Sequence, residues 1–524
     1  MNSLLRSGLC ALLLLAGAGL QAQLVTENSE YLNTVQQHTF RWFWEFAHPA
    51  SGMIPERTAT PNICTSGGTG FGVMAIIAGA DRGWVSREQA VERLLKMTAF
   101  LEQCERFHGA WPHWLNGHTG KAVPFSRYDD GGDLVETAYL INGLLAARAY
   151  FNGSAPAEAA LRSRITRLWE SVEWSWYVRN GLLHWHWSPR YEWKMNHPIG
   201  GYNECLITYV LALGSPTFPI APEVYQRTWK EHEPGHYKNG KTYLGYTLPL
   251  GFDWGGPLFF AHYSYLSLDP RLMQDGDANY WQLNVSQTLI NRAYCIEQAP
   301  KEFGYSEHNW GLTASDNFNF YGAHAPVVED NSTLTPTAAL SSFPYTPWYS
   351  MQVLKYLYRI EGNRLFGPHG FYDAYSKLKG WYSNQYLAID QGPIVVMIEN
   401  YRSGLFWTLG QRTEALQTGL AKMGIRRPDY PTGFYMYIPE ARTQRTELMK
   451  HPDYDQYFLD FWVKGPAPVS VELRDAAGKA VQTLQAPAVL APGPQQLRFL
   501  ADPGLYEAVI RQGSAEVKTG LRLW

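Results

Sequence analysis

The chain has 524 residues, of which 45% are hydrophobic, 15% aromatic and 17% charged, with a net charge of −3. That length accommodates one large core and a second, small one. A near-neutral balance with no basic block excludes readings as a nucleic-acid binder or as a protein held electrostatically on an anionic membrane.

Arg6 precedes an apolar stretch from Leu9 to Leu20, followed by Gln21-Ala22-Gln23, the layout of a secretory signal too short for a membrane anchor. Residues 1–22 are expected to be removed, leaving a chain that begins near Gln23 in the periplasm or outside the cell. Cys10 lies inside the apolar stretch and not just after it, which argues against lipoprotein processing. Cys64, Cys104, Cys205 and Cys295 are widely spaced with no CxxC pair. Export permits disulfides, buried thiols fit at least as well, and zinc spacing is absent. No later stretch reaches spanning length, so no membrane span is expected.

Gly67-Gly68, Gly131-Gly132, Gly200-Gly201, Gly255-Gly256 and Gly392-Pro393 each open an apolar run, with 64, 69, 55 and then 137 residues between starts. Thr335-Pro336-Thr337 divides the long interval. The runs GFGVMAIIAGA, DLVETAYLINGLL, YNECLITYVLAL, PLFFAHYSYL and IVVMIENYRSGLFW are apolar nearly all round, as helices inside a large domain are. An interval of about 60 residues holds an inner helix, a loop and an outer helix, so the pattern predicts roughly six helical hairpins in succession.

Carboxylates stand at these starts: Asp129, Asp130, Asp133 and Glu136 at the second, Glu204 at the third, Asp253, Asp330 and Asp390 at the later ones. A ring of helices with acids along one rim suits carbohydrate chemistry. Asp133 and Glu136 are three apart and Asp129 lies a turn upstream, so they can share a rim. A helix cap accounts for one carboxylate, but not for four within eight residues. The spacing lacks the alternation of a calcium loop. Glu204, between Gly200-Gly201 and an apolar helix, would be desolvated and held protonated as a general acid must be; the competing reading is a capping glutamate in the first turn.

Upstream of Glu204, His184-Trp185-His186-Trp187 through Trp193 offers rings and imidazoles for sugar binding. His184 and His186 lack further ligands at a recognisable spacing, so no metal is expected. Trp187, Tyr202, Trp254 and Asp130 are candidate substrate contacts. So are Asp316, Asn317, Tyr321 and His324, in the long polar and aromatic stretch from Trp310 to Pro326. Glu399 and Arg402, three apart, are expected to form a buried ion pair with each other.

From Gly465-Pro466-Ala467-Pro468 onward the chain reads as short alternating runs broken by Ala477-Gly478, Pro492-Gly493-Pro494 and Pro503-Gly504. That texture predicts a small β-sandwich over 465–524, a packing accessory more than a sugar-binding module.

Taken in order, DDGGDLVETAYL, GGYNECLITYVLALGSPTFPI, the WGLTASD to AHAP stretch, PTAALSSFPYTP and YLAIDQGPIVVMIENYRSGLFW resemble the bacterial glucoamylase-like proteins of glycoside hydrolase family 144, over about residues 30–460. The resemblance implies an all-α main domain over 23–464, an (α/α)6 barrel, and an inverting hydrolase of β-1,2-glucan that acts internally or releases sophorose from chain ends. It places the functional acids on Asp129, Asp133, Glu136 and Glu204, with Asp390 on the opposite rim. Glu204 corresponds to the general acid and Asp390 to the base side, with proton transfer able to run through a substrate hydroxyl or water. The expected partner is an oligo- or polysaccharide; no cofactor, metal, nucleic acid or membrane is implied, and a monomer is expected. Other specificities on the same barrel, a non-catalytic glycan binder, and a lyase or epimerase are the rival readings.

Overall fold

The computed structural model describes residues 26–524, so the secretory segment expected at 1–22 lies outside the described residues. The main body alternates helices buried all round with helices that bury one stripe. The first helix, α1 (Glu27–Glu45), begins where the Thr26 hydroxyl accepts the Ser29 amide. Then α2 (Ser66–Asp81) buries every residue from Ser66 to Gly79. It is followed by the amphipathic α3 (Arg87–Leu101), started by a reciprocal cap between Ser86 and Gln89. The same alternation recurs with α4 (Leu134–Tyr150), buried from Leu134 to Ala147, and α5 (Pro156–Glu170), which buries Leu161, Ile165, Leu168 and Trp169. Further on come α6 (Leu206–Gly214), α7 (Tyr280–Glu297), α8 (Pro336–Leu340), α9 (Pro347–Tyr356), α10 (Ala388–Arg402), α11 (Leu405–Arg412) and α12 (Glu414–Lys422).

The inner helices cross at backbone contact. A Cβ on Gly70 of α2 would lie 2.2 Å from the Tyr139 carbonyl oxygen, and one on Gly143 of α4 would lie 2.1 Å from the Gly70 carbonyl oxygen. On the other flank of α2, a Cβ on Gly392 of α10 would come within 2.4 Å of the Phe71 Cβ. Helix α2 is therefore wedged between α4 and α10, and their N-terminal ends gather at one end of the body.

Three expected helix starts differ. The run after Gly255-Gly256 forms short 3-10 turns, Leu258–Ala261 and Ser264–Leu266, and not a long helix. A side-chain oxygen competes for its backbone, the Phe259 amide going to the Thr313 hydroxyl. The run after Thr335-Pro336 gives only the five-residue α8. Gly392-Pro393 lies inside α10, so Asp390 sits in that helix's first turn and not ahead of it.

The C-terminal region is a five-stranded sheet in the order Thr446–Leu448, Ala515–Leu523, Gly504–Gln512, Pro468–Asp475, Ala480–Val489, accompanied by the pair Tyr457–Val463 and Gly493–Phe499. The sheets thus take in chain upstream of the expected boundary at 465. Tyr457, Leu459 and Phe461 alternate inward and share a core with Val469, Val471 and Ile510. A cavity of about 360 Å³ lies where this region meets the helices, lined by Trp281, Trp407, Arg402 and Asp460 among others. It abuts the C-terminal end of α10, roughly 18 Å along the axis from Asp390 at 1.5 Å per residue. Cys64, Cys104, Cys205 and Cys295 are buried free thiols. Among the described residues, no helix is long and apolar enough to cross a membrane.

Candidate active site

The first acidic group forms where the 184–193 segment meets the start of α4. A short antiparallel bridge pairs Gly132 with Trp187 and Asp133 with His186. Asp133 caps α4: its Oδ1 accepts from the amides of Val135 at 3.0 Å and Glu136 at 2.9 Å. The capping explanation is thus correct for one of its oxygens. The other, Oδ2, lies 3.0 Å from His113 Nδ1 and 3.4 Å from His186 Nε2. Asp129 joins the network, its Oδ2 being 3.2 Å from His186 Nε2. Burial alone would lower both imidazoles, but the surrounding carboxylates outweigh it and push each up to about 9. Burial opposes the ionisation of Asp133 in turn, and its bonds to His113 and His186 nonetheless hold it below the usual carboxylate range. Two imidazolium rings clamped by two carboxylates form a charged, ordered wall at neutral pH.

Glu136 lies one turn further in. Its Oε2 accepts from the Gly67 amide at 2.7 Å and the Thr65 hydroxyl at 3.1 Å, while Oε1 stands 3.9 Å from His113 Nε2. Burial raises it, and the positive His113 resists. Asp130 accepts the Ser188 hydroxyl at 2.5 Å and stands 3.7 Å from Arg190 Nε, so it pins the 188–190 turn.

Glu204 precedes α6 in a turn and is not in the helix, which sets aside the capping alternative. Its carbonyl is held by the Ser264 hydroxyl at 2.5 Å and by Tyr139 at 3.4 Å, leaving the side chain partly open to solvent. Burial first, and the neighbouring Glu136 charge after it, raise this carboxyl to about 7 against the opposing pull of its own amide.

The second acidic group belongs to the start of α10. Asp390 is 1% exposed; with both carboxyls ionised its oxygens have no hydrogen-bond donor, and a proton on the pair bridges it to Asp373. Beside it lie Asp373 and Asp316, the latter on the hairpin Ala314–Asp316 and Tyr321–Ala323. The Asp316 amide donates to Asp373 Oδ2 at 2.7 Å, and Arg57 Nη1 donates to Asp316 Oδ1 at 2.9 Å. Tyr263 ties the two groups together: its ring is within electrostatic reach of Asp390, Glu204 and Glu136, and burial plus these charges hold its hydroxyl protonated. Glu136, Glu204 and Asp390, expected at three separate helix starts, are thus brought around one tyrosine.

Several expected contacts lie elsewhere. Tyr202 is buried in the core, its hydroxyl 2.6 Å from that of Tyr265, so its ring is closed to a ligand. His324 is fully buried, lowered to about 4 by desolvation, and 3.4 Å from Asn317. Asn317 itself organises the hairpin turn by accepting the amides of Asn319 and Phe320. Trp187 is half-buried against Trp176, and Trp254 against Tyr243. Tyr321 is 41% exposed and within electrostatic reach of Asp390, Asp373 and Asp316, so its ring is accessible beside the second group. Asp253 pairs with Lys241 on the surface, and Asp330 is spent on the hydroxyls of Tyr294 and Tyr305. The expected Glu399–Arg402 pair does not form: Glu399 binds Arg82 at 2.8 Å, and Arg402 binds Asp453.

Sequence reasoning missed His113, Arg57 and Asp373. Each is an isolated charged or polar residue in a loop, marked only by neighbouring aromatics in PHWLN and FYDAYS and by the adjacent Glu56 in PERTA. His113, Asp129 and Asp133 could hold a cation, their ligand atoms lying within 4.8 Å of one another. With the imidazoles protonated, the same atoms are satisfied as an ion-pair network.

The family model described as "Putative glucoamylase" matches residues 196–414. The chain is 44% identical over 417 residues to the exo β-1,2-glucooligosaccharide sophorohydrolase (non-reducing end) of Parabacteroides distasonis, a match that covers 76% of this chain and 58% of that protein. The chain therefore spans little more than half the length of that relative. The endo-β-1,2-glucanase from Chitinophaga pinensis, solved with sophorotriose and glucose, is 50% identical with a TM-score of 0.75, over 77% of this chain and 99% of that one. The β-1,2-glucanase from Parabacteroides distasonis is 44% identical with a TM-score of 0.74, over 76% of this chain and 60% of that one.

Proposed function

The chain belongs to the glucoamylase-like proteins of glycoside hydrolase family 144, and on that footing we propose that it is an exported, monomeric hydrolase of β-1,2-linked glucose chains that works by inversion within an (α/α)6 barrel. The names of its relatives support the substrate class, and the glycine-packed inner helices support the barrel, with the C-terminal sheets as a packing accessory. The observation that carries the chemistry is Glu204, partly open and raised to about 7, facing the same tyrosine as Asp390.

Glu204 protonates the glycosidic oxygen as its bond to the anomeric carbon breaks. A water attacks that carbon from the opposite face and passes its proton toward Asp390, directly or through a sugar hydroxyl. Inversion asks for about 6.5–9.5 Å between the two carboxyl groups, leaving room for that water. The clamp of His113, His186, Asp129 and Asp133 holds Glu136, and through the Gly67 amide the start of α2, in a fixed position beside Glu204.

The reading is tested by incubating purified protein with linear β-1,2-glucan, a β-1,3-glucan and starch in parallel. Sophorose or short β-1,2-oligomers from the first alone, at a rate unchanged by a chelator, is the expected result. Degradation of starch with β-1,2-glucan left intact, or binding without turnover, overturns it.

A further inference from the structure

The cavity of about 360 Å³ between the helices and the C-terminal sheets stands apart from both acidic groups, at the end of α10 roughly 18 Å along its axis from Asp390. Trp281 of α7, Tyr349 of α9, Arg402 of α10 and Trp407 of α11 line it on the helical side, and Thr446 and Asp460 on the sheet side. Tyr454, 49% exposed, and the exposed Gln496 also line it, so it opens to solvent beside them. The volume lies toward the lower end of the range of about 300–1,000 Å³ that small-molecule sites span, which suits a ligand of about one or two sugar rings and not a long chain.

The chemistry of the walls narrows the ligand further. The indole N–H groups are spent, Trp281 Nε1 on the Met436 carbonyl at 2.9 Å and Trp407 Nε1 on the Tyr265 carbonyl at 2.8 Å, so these rings have only apolar surface left to offer. The charges are engaged as well. Arg271 bonds both Asp269 oxygens at 2.8 Å, Arg402 bonds Asp453, and Asp460 accepts the Gln496 side-chain amide at 2.9 Å. An ionic ligand would have to break these pairs. Two groups remain: the Tyr349 and Thr446 hydroxyls are buried and, among the described residues, have no hydrogen-bond partner. They sit on elements that pack together, α9 and the strand Thr446–Leu448. Buried hydroxyls left unpaired are costly, and an alkyl ligand would leave both of them so. A neutral sugar brings C–H surface for the rings and hydroxyl groups for Tyr349 and Thr446.

We propose that this cavity is a second, non-catalytic saccharide site, in which the Tyr349 and Thr446 hydroxyls bond a glucose unit or disaccharide packed against Trp281 and Trp407. The choice of a β-1,2-linked disaccharide as its ligand rests on the proposed function; the site itself does not. A sugar held there joins the end of α10 to the sheets and gives the C-terminal region a task beyond packing.

The test is isothermal titration calorimetry of the Glu204→Gln protein, in which turnover is blocked, with sophorose, maltose and cellobiose in parallel. Two sophorose molecules per chain are expected, one at the active site and one in the cavity. Adding Tyr349→Phe and Thr446→Val should weaken one of them by about 10-fold or more and leave the other unchanged. Both substitutions keep the side-chain shape and remove an unpartnered hydroxyl, so the fold should hold. A second site that takes maltose or cellobiose and not sophorose supports the saccharide site while counting against the β-1,2 linkage. A second site for none of the three sugars, or one that the double substitution leaves unchanged, overturns the proposal. Should the substituted protein not fold, crystals of the wild-type protein grown with sophorose decide the matter: sugar bonded to Tyr349 and Thr446 is expected, and a cavity that takes up none overturns the proposal.

Discussion

Glu204 is raised by its position: the turn ahead of α6, its carbonyl held by Ser264, buries the carboxyl and sets it near Glu136. Glu204→Gln keeps that shape and removes the proton, so kcat should fall by about 10²- to 10⁴-fold with little change in melting temperature. In the wild type, activity should decline as pH rises through about 7, because the acid form is lost there. The imidazoles give a separate signature in stability. His113 and His186 are raised from 6.5 to about 9 in the folded protein, so the stability they contribute is full below pH 6.5 and is lost as pH rises through about 9. Melting temperature measured across that window should fall, and His113→Gln should flatten the fall. An equally steep curve in the variant would show that the network is not its source.

At the scale of elements, the site is placed by how closely α2, α4 and α10 approach. Gly143→Ala puts a methyl group 2.1 Å from the Gly70 carbonyl oxygen, which forces α2 and α4 apart. A loss of about 1–3 kcal/mol on chemical denaturation is expected, and a variant as stable as wild type would show that the crossing can relax. Much of this level was legible in the sequence. Small-residue doublets followed by all-apolar runs mark buried helices, and the acids at their starts mark the rim. The aromatic run after Gly255-Gly256 misled because apolarity reports burial and not conformation, and there the Thr313 hydroxyl draws on the backbone amide of Phe259. The partners of the acids were hidden for another reason. Asp373 and Arg57 reach Asp390 and Asp316 from separate loops, and no local periodicity encodes that meeting. Tyr202 and His324 failed in the opposite direction, since a polar ring beside a motif is as easily core as contact.

Across the whole molecule, charge pairs tie the far end of α10 to the region that leads into the sheets. Arg402 is 5% exposed and bound to Asp453, and Trp348 stacks on Trp524 at 4.4 Å. Arg402→Met leaves a buried carboxylate without this guanidinium, and a loss of about 3–5 kcal/mol is expected by denaturant titration. Ending the chain at residue 464 strips Tyr457–Val463 of its partner Gly493–Phe499, so the truncated protein should aggregate on size-exclusion chromatography. A monodisperse, active truncation would show the sheets to be dispensable. The central claim, inverting hydrolysis of a β-1,2-glucan between Glu204 and Asp390, is tested most directly by proton NMR of the first products released from linear β-1,2-glucan. New reducing ends that appear as the α anomer and only later equilibrate are the predicted result; β anomers at the earliest times, or no new reducing ends, would contradict it.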